Sequence, residues 1–308
     1  GEDYRAMGAY TQACDMYELA RDHLRAEHDM KSVALLYLEW GYCTYALTYQ
    51  LSAQGLAARK RMPLEETELG FQRAIAFVIQ SRDLSHLSGD VLEEVMACLL
   101  LVAIRLDFST RHKQLTDTIG EMFPDSCLSL LDDAEEQCRQ VLVSCRDMLK
   151  PQTDQHAAII YEALAYLVRV FIQQATLARL RGHEDTAWRE RALATHLCQR
   201  ALDALAEPAF PQDLLQVALS LQTERSIEGA LVLPRLPELT EDASAFQPGL
   251  FGQFEVYCAA GEVAEELGRT ASSPGDVHDC YTCADRCFHT ALVLANALVS
   301  SQQREPGY

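Results

Sequence analysis

Three stretches of the chain repeat one spacing of small and large side chains. In each stretch four residues follow one another at intervals of three, four and three positions. The members are Tyr10, Ala13, Tyr17 and Ala20; Tyr281, Ala284, Phe288 and Ala291; and, as a weaker copy, Arg191, Ala194, Cys198 and Ala201. On an α-helix these intervals place the four side chains along one face. The pattern predicts helices that pack closely against neighbouring helices.

Proline and glycine divide the chain into long helical segments. No proline occurs before Pro63, and proline cannot continue a helix interior. We predict helices over residues 4–27, 30–58, 63–81, 90–106, 128–149, 154–182, 185–206, 211–229, 251–268 and 274–301. We find no period-two alternation of the kind that indicates a strand. The sequence therefore predicts an all-α protein, an antiparallel array of about 9 to 11 helices that pack against their sequence neighbours.

Two segments lack a helical pattern and are candidate connectors. Residues 107–126 are polar and contain a glycine and a proline, so we expect a loop or hinge there. Residues 233–249 contain three prolines and have no helical period, which predicts an irregular connector. The chain is long enough for one large or two ordinary domains. We predict a single all-α domain over residues 1–308, with an alternative division into 1–106 and 127–308.

Charge and composition exclude several classes of partner. The formal net charge is −19, whereas nucleic acids and anionic membranes attract clustered cations. We therefore expect neither as a direct partner. The most apolar run, residues 95–104, ends at Arg105, which is far short of a membrane span. Most of the eleven cysteines lie in apolar helical patterns, as reduced thiols do, so we expect an intracellular protein, cytoplasmic or nuclear.

An aspartate-rich motif raises the alternative of an enzyme. Asp132, Asp133 and Glu136 form DDxxE within a predicted helix, which resembles the motif of class I terpene synthases. That resemblance implies carboxylates that hold Mg²⁺ against a diphosphate. The family has a second metal motif downstream, and the nearest fragment here is residues 220–224. Acidic pairs are also common at helix starts, because they complement the helix dipole.

Clustered cysteines raise the alternative of a zinc site. Cys280, Cys283 and Cys287 have the spacing C-x-x-C-x-x-x-C, with Cys258 as a conceivable fourth ligand. On a helix these thiols interleave with the stripe that begins at Tyr281, and no second C-x-x-C is present. We interpret them as packing residues and predict no metal and no cofactor. Nucleotide-binding and hydrolase motifs are also missing, so we predict a protein that is not an enzyme.

Two helical families resemble parts of the chain. With Gly8 in front, the first stripe reads G-x-Y-x-x-A-x-x-x-Y-x-x-A, which resembles the second helix of a tetratricopeptide repeat; we match no other turn glycine to this repeat. Residues 135–221 are more weakly similar to the middle helices of the 14-3-3 fold. Arg169, Tyr161 and Tyr166 lie in the comparable helix, out of register with the phosphopeptide-binding cluster of that fold. Both resemblances imply a concave helical surface that accepts a peptide or a partner helix.

The resemblance implies a non-enzymatic interaction or scaffold module. Because the chain is acidic, we expect a basic or amphipathic protein or peptide as its partner. The candidate contact residues are Trp40, Tyr42, Tyr45 and Tyr49, which span more than one face of a predicted helix. An alternative is the regulatory or effector domain of a larger transcription regulator, whose DNA-binding element would lie outside this sequence.

Overall fold

The computed structural model describes most of the chain, and within that part every regular element is an α-helix. The described residues are 1–26, 29–57, 64–119, 126–147, 154–206, 231, 233–236 and 250–302. The ten helices among them are α1 Glu2–Ala6, α2 Tyr10–Ala26, α3 Met30–Ala57, α4 Leu64–Ser88, α5 Val91–Ile119, α6 Ser126–Asp147, α7 Asp154–Leu180, α8 Glu184–Ala206, α9 Leu250–Thr270 and α10 Pro274–Gln302. The prediction of an all-α helical array is confirmed, and the helix count lies in the expected range.

The loop or hinge predicted over residues 107–126 was wrong for residues 107–119, which continue α5. Two polar residues of this stretch have partners on other helices: Asp107 accepts a hydrogen bond from Tyr45, and His112 lies 3.1 Å from Glu68. Contacts with polar groups of α3 and α4 therefore account for part of its polar character. The predicted helix over 211–229 lies outside the described residues, as does most of the connector 233–249.

Three tight links between helices share one structure. The links join α1 to α2, α4 to α5 and α7 to α8, and each contains a glycine of positive φ: Gly8 at 71°, Gly89 at 70° and Gly182 at 75°. In each link the glycine N–H bonds the carbonyl three residues back, and the next N–H bonds the carbonyl five residues back. This is the Schellman motif. The helix predicted over residues 4–27 is thus interrupted at Gly8, where glycine alone adopts the required φ without strain.

Gly182 precedes α8 as Gly8 precedes α2. Counted from the two glycines, the equivalent positions are Ala13 and Ala187, Tyr17 and Arg191, and Ala20 and Ala194. Ala13 and Ala187 are both fully buried. The predicted alignment of Arg191 with Tyr10 is two turns out of this register, because only Gly8 was expected to be a turn glycine of the repeat. The positive φ of Gly182 supplies the register.

The described chain divides into two compact units, Gly1–Gln137 and Cys138–Tyr308. In the first unit α3 packs against α2 and α4, and α4 packs against α5. Its core holds two clusters of buried side chains, one around Tyr17 and Trp40 and one around Phe71 and Phe108. The rings of Phe71 and Phe108 are stacked with centroids 5.0 Å apart. The first unit therefore has a strongly aromatic interior.

In the second unit α7 is the central helix, in contact with α8 and α9, and α9 packs against α10. One segment of α7, His156–Leu180, is long and apolar enough to cross a membrane by length and composition, and 67% of its most apolar window is buried. Most of its apolar side chains lie against neighbouring helices, as they do in the central helix of a helical core.

Candidate functional site

The four aromatic residues predicted as contacts lie in different environments along α3. Trp40 is 7% exposed, and its indole stacks on Phe77 of α4 with ring centroids 4.3 Å apart. Tyr49, at 38% exposed, is the most accessible of the four. The position of Trp40 indicates a core residue rather than a contact residue, whereas Tyr49 is open to solvent.

The tyrosines of this set make contacts within the first unit. The half-buried ring of Tyr42 meets Tyr10 edge-on with centroids 6.4 Å apart, and the hydroxyl of Tyr45 donates a hydrogen bond to Asp107. The guanidinium of Arg111 lies 4.4 Å from the ring centroid of Tyr49, which is a cation–π distance. These contacts tie α3 to α2 and α5.

An open cleft of about 690 Å³ lies between the end of α2, the start of α3 and the second half of α4. Its lining comprises Leu24, Asp29, Met30, Val33, Tyr37, Gln80, Asp83 and Leu84. The volume lies within the range of protein ligand pockets. None of the four predicted contact residues is among the described residues that line this cleft. Tyr37, one turn before Trp40 on the same helix, lines the cleft instead.

Aromatic side chains pack behind the wall of the cleft and support it. The ring of Tyr37 stacks on Trp40 with centroids 6.3 Å apart and on Phe77 with centroids 6.1 Å apart. In front of this aromatic stack, Met30 is 48% exposed and Leu84 is half-buried. The apolar side chains of Met30 and Leu84 are therefore partly exposed to solvent beside a packed aromatic stack, which limits their movement.

Asp29 fixes the start of α3 at one edge of the cleft. Its Oδ1 accepts a hydrogen bond of 3.2 Å from the N–H of Ser32, and its Oδ2 accepts one of 2.5 Å from the Ser32 hydroxyl. This is an N-cap. The hydrogen bonds from the Ser32 side chain and backbone lower the pKa of Asp29, so its carboxylate stays ionised at neutral pH.

The described lining of the cleft has two acidic residues, Asp29 and Asp83, and no basic residue. Asp83 is exposed and lies 2.7 Å from Arg82, the preceding residue. An exposed ion pair of this kind is weak and is easily exchanged for another partner. Within the described lining, the charged groups at the edge of the cleft are therefore carboxylates.

The residues that the 14-3-3 resemblance indicates lie on α7. Two of them form hydrogen bonds within the second unit. Arg169 donates hydrogen bonds of 2.7 Å to Glu255 and 2.9 Å to Glu262, both on α9. The hydroxyl of Tyr161 donates one of 3.2 Å to the carbonyl of Ala204. Two carboxylates thus compensate the guanidinium of Arg169, and an incoming phosphate would have to displace them.

The DDxxE residues lie on an exposed face of α6. Asp133 lies 3.4 Å from Arg105 of α5, and Asp132, Asp133 and Glu136 are all exposed. All eleven cysteines are free thiols, and within the described residues no three His, Cys, Asp or Glu side chains are arranged to hold a metal ion. Neither the DDxxE motif nor the C-x-x-C-x-x-x-C run assembles a metal site in that part of the chain.

Comparisons with protein families, with curated proteins and with solved structures gave no match for this chain. The choice of site therefore depends on the geometry of the described residues. By that criterion the cleft between α2, α3 and α4 is the strongest candidate, because it combines volume, exposed apolar surface and charge of one sign.

Proposed function

We propose that this chain is a non-enzymatic interaction module that binds an amphipathic peptide or partner helix in the cleft between α2, α3 and α4. The single observation that carries the proposal is the cleft of about 690 Å³ with its apolar wall and two carboxylates. Covering a fully exposed apolar side chain contributes about 1.5 to 3 kcal/mol, and Met30, which is 48% exposed, offers about half of that. Two or three such anchors provide the core of a binding site.

The side chains that line the cleft indicate what kind of ligand would bind there. Apolar residues of a helical ligand at intervals of three and four positions lie along one face, which matches a wall built from Met30, Val33 and Leu84. Lysine or arginine residues beside that face would meet Asp29 and Asp83. The occupant is therefore a helix with one apolar face and basic flanks. The negative net charge of the whole chain supports the same choice, because it favours the approach of basic ligands.

A display library of short random peptides tests this proposal with the full chain as bait. The expected result is enrichment of peptides with apolar residues three and four positions apart and with lysine or arginine between them. Enrichment of acidic peptides, or no enrichment at all, would overturn it.

The selected peptides then test the acidic edge. Asp83→Lys reverses the charge of an exposed lining residue, and we expect about tenfold weaker binding, which corresponds to 1.4 kcal/mol. Asp15→Lys is the matched control, because Asp15 is an exposed aspartate on α2 outside the cleft lining. Equal weakening by both substitutions would show a general charge effect and would contradict binding at the cleft.

A further inference from the structure

The two helix pairs of the second unit, α7 with α8 and α9 with α10, match at an offset of 90 residues. The boundaries that correspond are Leu180 and Thr270, the ends of α7 and α9, and Glu184 and Pro274, the starts of α8 and α10. At the same offset, the stripe that begins at Arg191 on α8 falls on the stripe that begins at Tyr281 on α10. Corresponding positions of α8 and α10 can therefore be compared directly.

One face of α8 and the corresponding face of α10 are buried alike. The buried residues are Ala194, Leu197 and Ala201 on α8 and the corresponding Ala284, Cys287 and Ala291 on α10. On α10 this face lies against α9, where Gly268 is beside Cys280, one turn before Ala284. Helix α8 likewise packs against α7. This face therefore joins the two helices of each pair.

The adjacent face differs between the two helices. On α8 its four residues are buried, namely Arg191, Thr195, Cys198 and Leu202. On α10 the four corresponding residues are exposed, and we call them the outer face of α10: Tyr281, Asp285, Phe288 and Leu292. Leu202 is 0% exposed and Leu292 is 58% exposed, although both are leucines. The neighbours of the helix, rather than the type of side chain, therefore account for the difference.

A neighbouring helix pair distinguishes α8 from α10. Helix α8 contacts α9, the first helix of the following pair, as well as α7. Within the residues that the structure describes, no helix follows α10. Val293, next to Leu292, is also exposed and widens the apolar surface. Contiguous exposed apolar surface of this kind marks a site of protein interaction, and the corresponding face of α8 shows that the position is suited to burial.

The charge of the outer face separates it from the rest of the chain. Asp285 is followed by Arg286, which is also exposed, and residues 287–302 include no Asp, Glu, Lys or Arg. Two copies of a chain with a net charge of −19 repel each other, and this repulsion is weakest where the facing surfaces are neutral. The outer face is therefore complementary to a copy of itself, whereas a basic ligand would meet a single carboxylate on it.

We propose that a second copy of this chain covers the outer face of α10, with the α10 helices of the two copies packed antiparallel about a two-fold axis. A two-fold contact uses the same patch on both copies and closes the pair. Phe288 and Leu292 are one turn apart, so in an antiparallel pair Phe288 of each copy lies beside Leu292 of the other. These two side chains form the apolar centre of the contact. The contact is independent of peptide binding at the cleft, which is lined by residues of the first unit.

Sedimentation velocity of the full chain over a wide range of protein concentration tests for the pair. We expect a reversible equilibrium between monomer and dimer in which added salt favours the dimer, because salt screens the repulsion between two acidic copies. Binding of a basic peptide to an acidic surface has the opposite dependence on salt. A monomer at every concentration, in high salt as well as in low salt, would overturn the proposal.

A charge placed on the outer face tests where the copies meet. In Leu292→Glu both copies lose an apolar contact and bury a carboxylate, so we expect the dissociation constant of the dimer to rise about tenfold or more. Leu19→Glu is the matched control, because Leu19 is a leucine of the first unit that is 65% exposed, and it should leave the dimer unchanged. Thermal unfolding checks that both variants are folded. A dimer that is equally stable in the two variants would contradict contact through the outer face.

Mixing two variants tests the antiparallel arrangement. When Phe288 of each copy lies beside Leu292 of the other, the two residues at position 292 are separated by four residues, which is about 6 Å along the helix axis. An equal mixture of Leu292→Glu and Leu292→Lys should therefore form more dimer than either variant alone, because opposite charges face each other across the axis. No gain in the mixture of the two folded variants would contradict antiparallel packing of α10.

Discussion

The indole of Trp40 and the ring of Phe77 lie nearly parallel, at 19°, with centroids 4.3 Å apart. This contact joins α3 to α4, and Tyr37 stacks on both rings. Tyr37 faces the cleft on its other side. Both side chains are almost fully buried, so Trp40 and Tyr37 together form the support, and Tyr37 also lines the cleft.

Replacing Trp40 should destabilise the protein far more than replacing Tyr49 on the same helix. Truncation of a large buried aromatic side chain costs about 3 to 5 kcal/mol, so we expect Trp40→Ala to lower the free energy of unfolding by that amount. Tyr49→Ala removes an exposed ring and a cation–π contact with Arg111, worth about 1 kcal/mol. Denaturant titration of both variants measures the difference. Equal costs would contradict the assignment of Trp40 to the core.

The small residues of the repeated stripes should not tolerate larger side chains. Ala13 and Ala284 are buried, and forcing extra methylene groups into a packed interface costs about 1 to 3 kcal/mol. We expect Ala13→Leu and Ala284→Leu to lower the free energy of unfolding by this amount. Ala76→Leu, at an exposed position in the middle of α4, is the control and should change it little. Unchanged thermal unfolding of both stripe variants would reject the packing role of the stripes.

Replacing Gly182, the glycine in the turn between α7 and α8, should destabilise the protein. At Gly182, with φ of 75°, an added Cβ costs about 1 to 2 kcal/mol through backbone strain, although no neighbouring atom lies within 4 Å. Gly275 has equally open surroundings, with only the Ser273 hydroxyl 3.8 Å away, and its φ is not positive. Thermal unfolding should therefore separate Gly182→Ala, which destabilises, from Gly275→Ala, which is neutral or slightly stabilising. Equal effects would argue against strain at Gly182.

A half-buried carboxyl on α7 should make stability depend on pH. Burial and the charge of Glu255 raise the pKa of Glu162 from 4.5 to about 7, while a hydrogen bond from Tyr166 acts in the opposite direction. Between these two values the folded protein binds more protons than the unfolded chain. The free energy of unfolding therefore falls as the pH rises through this window, by on the order of 3 kcal/mol from this group.

Glu162→Gln removes that titration, and the comparison with the wild-type protein isolates it. We expect the stability of the variant relative to wild type to increase between about pH 5 and pH 8. Glu18→Gln, at an exposed position on α2, is the control variant. A constant difference for Glu162→Gln would show that Glu162 is not held in its protonated form.

Helix content followed from local pattern, because the spacing of apolar residues and the positions of proline and glycine are local properties. The exception, residues 107–119 at the end of α5, shows where this reasoning stops. Two of its polar side chains, Asp107 and His112, contact polar groups of Tyr45 and Glu68, and these partners are distant in the sequence. A local pattern does not separate a polar loop from a helix with distant polar partners.

The candidate site was harder to predict from the sequence than the fold. The cleft is assembled from three helices, with Leu24, Tyr37 and Leu84 brought together by packing alone. The four predicted aromatic residues lie on α3, which also contributes to the cleft, but their exposure depends on neighbours such as Phe77. The acidic character of the cleft agrees with the expectation of a basic partner, which remains a prediction until a ligand is bound.

The most direct test of binding at the cleft is the dissociation constant of a selected amphipathic peptide for Met30→Glu compared with Met16→Glu. Both methionines are similarly exposed, at 48% and 42%, but only Met30 lines the cleft. About half of the Met30 side chain is available to a ligand, so its loss costs about 1 kcal/mol, and we predict about fivefold weaker binding to Met30→Glu and unchanged binding to Met16→Glu. Equal affinity of the peptide for the two folded variants would contradict the proposed site.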